Sequence, residues 1–109
     1  MSEATPAAAS HFPVPTEIDR LIHEPARLLI LANLHVVESA DFTFLMNRTG
    51  LTWGNLSSHL NKLETAGYIV VEKTYLGKRP YTLLSLSDNG RGAFDTYRGQ
   101  MQALLAGLP

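Results

Sequence analysis

The chain contains no cysteine. Disulfides, thiol nucleophiles, thiol redox sensing and thiolate metal sites are excluded together, and a cytoplasmic location is the expectation that fits. No apolar run reaches the roughly 18–20 residues needed to cross a bilayer, so no membrane partner is expected. Met1 to Pro15 has no basic residue and no long apolar stretch, unlike a secretion signal. Rich in Ala, Pro and Ser, it reads as a disordered tail ahead of a domain over residues 16–109. Positive charge is not in excess either. Nine Lys and Arg stand against ten Asp and Glu, a net charge of −1, which argues against a nonspecific nucleic-acid binder.

The apparatus of catalysis is missing as well. No serine sits in a Gly-x-Ser-x-Gly turn, and no Gly-rich loop carries a phosphate-binding lysine. His11, His23 and His35 show no ligand spacing beyond His35 and Glu38, three residues apart. Two ligands do not make a metal site, so neither metal nor cofactor is expected, and the chain is not read as an enzyme.

What is present is a charge asymmetry. Met1 to Met46 holds two bases and six acids, a net −4, whereas Asn47 to Arg91 holds six bases and three acids, a net +3. The chain has 109 residues, 45% of them hydrophobic, which suits one domain with one core. The positive half is a weak electrostatic footprint for an acidic partner.

Local signals give the order of elements. Thr16 to Ile22 reads as a short helix capped by Thr16. Pro25 suits the first turn of a longer helix to about Glu38 that is apolar nearly all round, covered either by a partner chain or by the other helices. Ser39 to Phe42 is a very short strand or a loop. Phe42, Leu45 and Met46 mark a helix to Arg48, broken by Thr49-Gly50. Thr52 caps the next helix, whose Leu56, Leu60 and Leu63 form one buried face, and Gly67 stops it. Tyr68 to Leu76 and Tyr81 to Leu86 read as strands of a hairpin turning at Gly77 to Pro80. Ser87 caps a last helix to about Leu105.

Two short helices joined by Thr49-Gly50-Leu51-Thr52 look like a helix-turn-helix. The second presents Trp53, Asn55, Ser57, Ser58, Asn61 and Lys62 beside or opposite its leucine stripe. Asn can bond an adenine edge, Ser a base or phosphate, and Lys guanine or phosphate. The same residues also make an ordinary solvated face. Trp53 either packs partly on its own domain or touches a thymine methyl or a sugar. His59 reads as a half-buried packing residue within reach of a phosphate. The hairpin tip adds Lys78 and Arg79, with Lys73 on the same hairpin and Arg48 a weaker candidate. The succession of helix, turn, helix, glycine stop, strand, basic tip, strand and helix is that of an α+β, mostly α, winged helix-turn-helix. Phe94, Tyr97, Met101, Leu104 and Leu108 form an apolar stripe on the last helix, facing its own domain or a second chain.

The stretch GLTWGNLSSHLNKLETAGYIVVEKTYLGKRPYTLLSLSDNGRGAF resembles the core of small winged-helix transcriptional regulators of the MarR-like and ArsR-like groups. The pieces LSSHLNKLETAGYI and GKRPYTLLSLSDNGR match most closely, and the resemblance runs from His23 to Leu105. It implies that Thr52 to Ala66 reads the major groove of double-stranded DNA. It implies that Gly77 to Pro80 touches the backbone or minor groove, and that the first and last helices form a homodimer. The stripe from Phe94 to Leu108 is then a dimer interface. Trp53 stands where the pattern has a small polar or basic residue. Two further expectations remain beside this one. One is a winged helix that binds protein and not DNA. The other adds a small-molecule effector between the first and last helices, near His35, Phe94 and Tyr97.

Overall fold

The computed structural model describes residues 17–109. Within them, four helices and one hairpin follow in the order α1 (Pro25–His35), α2 (Phe42–Thr49), α3 (Trp53–Thr65), β1 (Ile69–Leu76), β2 (Arg79–Leu86) and α4 (Asp88–Ala106). This is the winged helix-turn-helix expected from the order of sequence signals. The Ala-rich tail and the Thr16 cap lie outside the described residues.

Residues 17–22 are not an α-helix. Asp19 organises a turn there, its carboxylate accepting from the backbone N–H of Leu21 at 2.9 Å and of Ile22 at 3.2 Å. That turn lowers Ile22 into the core, where it is fully buried. Helix α1 starts as expected, with Pro25 in its first turn and Glu24 as cap. It stops at His35, short of Glu38, because the chain must be extended by Ala40. Ala40 exchanges two backbone hydrogen bonds with Leu84, both 2.8 Å, and so adds a one-residue third strand beside β2.

Helix α2 is capped by Asp41, which accepts from Phe44 N–H at 2.8 Å, and it ends at Gly50. Helix α3 is capped by Thr52 and buries Leu56, Leu60 and Leu63. Its end is closed by Gly67, whose φ of +80° is the left-handed region. There Gly67 N–H reaches Glu64 O and Tyr68 N–H reaches Leu63 O, each at 2.9 Å, which satisfies two otherwise orphaned carbonyls.

The hairpin pairs Ile69 with Leu86 at its base and Leu76 with Arg79 at its tip. Its loop is therefore only Gly77-Lys78, with Gly77 at φ +65°. Arg79 and Pro80, expected in the turn, belong to β2. Pro80 lies opposite Tyr75, one step from the pair that closes the loop. That step is a non-hydrogen-bonded position, where proline's missing N–H leaves no gap in the ladder.

The core joins Ile22, Ile30, Leu31, Leu34, Leu45, Leu56, Leu60, Leu63, Ile69 and Leu84 with Phe94 and Tyr97 of α4. Each large buried side chain contributes roughly 1.5–3 kcal/mol. Phe94 and Tyr97 are thus spent on the chain's own core, each 5% exposed, where the stripe was expected to serve an interface. Tyr97 also holds His23 through its hydroxyl at 2.7 Å. Of the remaining stripe, Met101 and Leu104 are half-buried and Leu108 is exposed.

Candidate nucleic-acid interface

Successive residues of a helix turn by about 100°, so α3 has three distinguishable faces outside its leucine stripe. Gly54, Ser58, Asn61 and Thr65 form the outermost ridge, and all are exposed. Trp53, Ser57 and Glu64 flank it on one side; Asn55, His59 and Lys62 flank it on the other. The first flank meets the hairpin. An open cleft of about 1130 Å³ is lined by Trp53, Ser57, Asn61 and Glu64 from α3 and by Lys73, Leu76, Arg79 and Tyr81 from the hairpin. Asn61 and Arg79 therefore share one cleft. The second flank meets α1, where His59 lies half-buried.

Each residue expected at the site can now be placed. Asn55, Ser58, Asn61 and Lys62 are exposed, Ser57 is half-buried, and Thr52 is exposed while serving as the cap of α3. Lys78 and Arg79 are exposed, Lys78 in the two-residue loop and Arg79 at the start of β2. Arg48 is exposed on α2, its guanidinium 5.0 Å from the Phe44 ring centroid. Trp53 packs partly on its own domain, the first of its two expected roles. Its ring stacks on Phe42, with centroids 5.7 Å apart and planes 26° apart, yet it remains 62% exposed.

Sequence reasoning missed the parts that depend on tertiary contact. Glu64 enters the cleft, which depends on where the hairpin lies, and Thr65 extends the outer ridge, which the helical wheel alone could have found. Asp41 could not be found that way. One carboxylate oxygen caps α2 and the other accepts from the Tyr81 hydroxyl at 2.9 Å. The Phe44 N–H, then the Tyr81 hydroxyl, hold the Asp41 carboxyl below its ordinary range, and the same bond raises Tyr81. The wing is thereby tied to the start of α2. At its base, Tyr68 donates to Asp19, and that bond, with burial, pushes the phenol up to about 12.

Chemically, this surface offers amide and hydroxyl groups on a ridge, the Lys62 ammonium on its flank, and three cations (Lys73, Lys78, Arg79) on a projecting hairpin. Such a set can bond base edges and neutralise phosphates. Among the described residues, no group of three or more His, Cys, Asp or Glu could hold a metal ion. No described helix is long and apolar enough to cross a membrane.

Fold and surface together define a winged-helix transcriptional regulator. The chain belongs to the winged helix DNA-binding domain family, whose model it matches over residues 26–105. It is 35% identical over 78 residues to an uncharacterized protein of Methanocaldococcus jannaschii, covering 72% of this chain and 85% of the relative. Among solved structures it is similar to a transcriptional regulator homologue from Pyrococcus horikoshii OT3. That likeness has a TM-score of 0.77 and 28% identity, and covers 82% of this chain and 88% of the other. The transcriptional repressor CouR, solved bound to a 23-mer DNA duplex, has a TM-score of 0.66 and 19% identity, over 94% of this chain and 72% of that one. At that identity the likeness is one of fold.

Proposed function

We propose that the protein is a MarR-like regulator that binds double-stranded DNA as a homodimer. Helix α3 enters the major groove by its Gly54–Ser58–Asn61–Thr65 ridge. Asn55, Ser57, Ser58 and Asn61 supply base and phosphate contacts, and Trp53 offers its exposed edge to a thymine methyl or a sugar. Lys62, Lys78 and Arg79 neutralise phosphates, the last two from the wing on the backbone or in the minor groove. The observation that carries this reading is the shared cleft. Asn61 of α3 and Arg79 of the wing line the same opening, so one duplex can meet both.

A second copy supplies the two-fold partner. With Phe94 and Tyr97 buried, the far end of α4 offers it an apolar surface, where Leu105 and Leu108 are 65% and 53% exposed, and Leu29 of α1 is 46% exposed. Two reading helices would then enter successive major grooves about 34 Å apart. A small-molecule effector between the first and last helices would have to open space that Phe94 and Tyr97 now fill.

Selection of bound sequences from a random duplex library tests the proposal. A palindromic consensus supports DNA recognition and two-fold assembly together. Failure to enrich any sequence, with no mobility shift of random duplex at low salt, removes the DNA reading and leaves the protein-interaction module.

A further inference from the structure

The flank of α3 that faces away from the wing is fixed by a network reaching back to the start of α1. Arg27 is its centre. Its Nε donates to the Leu21 carbonyl at 2.6 Å, and its Nη1 lies 3.1 Å from Nδ1 of His59. A guanidinium has only donors, so His59 Nδ1 must accept. That assigns the neutral ring with its proton on Nε2. Glu24 lies near the same nitrogen, its Oε1 4.0 Å away, while accepting from Arg27 N–H at 2.8 Å to cap α1. Glu24 and Arg27 are the charged groups of α1 facing the ring, and Lys62 follows one turn later on α3. Among the described residues, α2 and β1 bring no hydrogen bond or ion pair to it.

We propose that Arg27 and His59 are positioning residues for DNA reading. The bond from Arg27 to neutral His59 holds α3 at the angle that sets Ser58 and Asn61 against the bases. The inference rests on the proposed DNA-binding function. It gives the contact two discrete states. A solvent proton taken up by Nδ1 removes the acceptor, sets two cations side by side and draws the ring toward Glu24. The reading angle is then lost, while the added positive charge favours phosphates of any sequence. Discrimination between duplexes, not binding as such, therefore falls on acidification.

The test compares the library-selected duplex with a scrambled duplex of equal length by fluorescence anisotropy at fixed salt. The pH runs from about 8 to about 5.5. The wild-type affinity ratio is expected to fall roughly three- to tenfold. His59→Asn places a non-titrating acceptor near the Nδ1 position and should keep the high ratio across the range. Arg27→Met should show the low ratio throughout. Nitrogen-15 NMR of the DNA-free protein at about pH 8 should find the His59 ring protonated on Nε2. A pH-independent ratio in the wild type, the same pH dependence in His59→Asn, or a ring protonated on Nδ1 overturns the proposal. Should Arg27→Met fail to fold, His59→Asn and the NMR tautomer decide. No selected duplex at all would overturn the DNA reading itself, whereas a selected duplex with pH-independent discrimination overturns only this inference.

Discussion

Helix α4 carries glycines at 90, 92 and 99, and replacing each by alanine should move stability in opposite directions. Gly90 is buried against the backbone of Tyr68, and a methyl group there would overlap the Tyr68 carbonyl. That carbonyl cannot yield alone, because it accepts from Ser87 N–H at 3.1 Å and the Tyr68 N–H closes the end of α3. The whole start of α4 must shift instead. Overpacking of this kind costs about 1–3 kcal/mol and sometimes more. Alanine's helix advantage of about 1 kcal/mol offsets part of this only where the helix remains in register. A net loss of about 2 kcal/mol lowers the melting temperature of a domain this size by about 8–16 °C. Gly92 and Gly99 have nothing within 4 Å of the added carbon and are exposed. Each alanine there should gain about 1 kcal/mol, or about 4–8 °C. Thermal and urea unfolding of the three variants gives the answer. Equal stability of Gly90→Ala and Gly92→Ala would refute the steric reasoning, and with it the close contact between α4 and the hairpin base.

Three further outcomes are expected. Lys78→Ala with Arg79→Ala should weaken binding to all sequences and flatten the dependence of log affinity on log salt by roughly one to two phosphate contacts; an unchanged slope in titrations at several salt concentrations would remove the wing from the interface. Trp53 is the chain's one tryptophan, so a specific duplex should change its fluorescence, and an unaltered spectrum at saturation would place the duplex elsewhere. The depressed Asp41 carboxyl contributes stability that is complete above its ordinary value of 3.8 and is lost as pH falls through its lower folded value. Asp41→Asn should therefore be less stable than the wild type at neutral pH, with the difference shrinking below about pH 4 in urea titrations; a difference that persists unchanged into acid would assign the effect to packing.

Helix α3 was legible almost to the residue because both of its ends are written locally. Thr52 caps one and Gly67 closes the other, and neither needs a distant partner. Where a boundary depends on something far along the chain, the sequence misleads. The apolar run after His35 looks helical, but Ala40 must extend to meet Leu84. Pro80 looks like a turn residue, but the two-residue loop places it at a strand position that needs no N–H. Periodicity marks Phe94 and Tyr97 as apolar-faced without saying which surface covers them, and their own core does. At the candidate site, the polar ridge and the basic tip were both readable. Their meeting in one cleft was implied by the resemblance and not by any local signal, and the link from Arg27 to His59 across 32 positions was not readable at all.

Ser87 sits where three elements end or begin. Its hydroxyl donates to Gly67 O at 2.6 Å and accepts from Gly90 N–H at 2.9 Å, while its own N–H binds Tyr68. The foot of α3, the root of the wing and the head of α4 are thus riveted at a single point with no slack between them. A displacement of the head of α4 would therefore have to break these bonds or carry the foot of α3 and the root of the wing along with it.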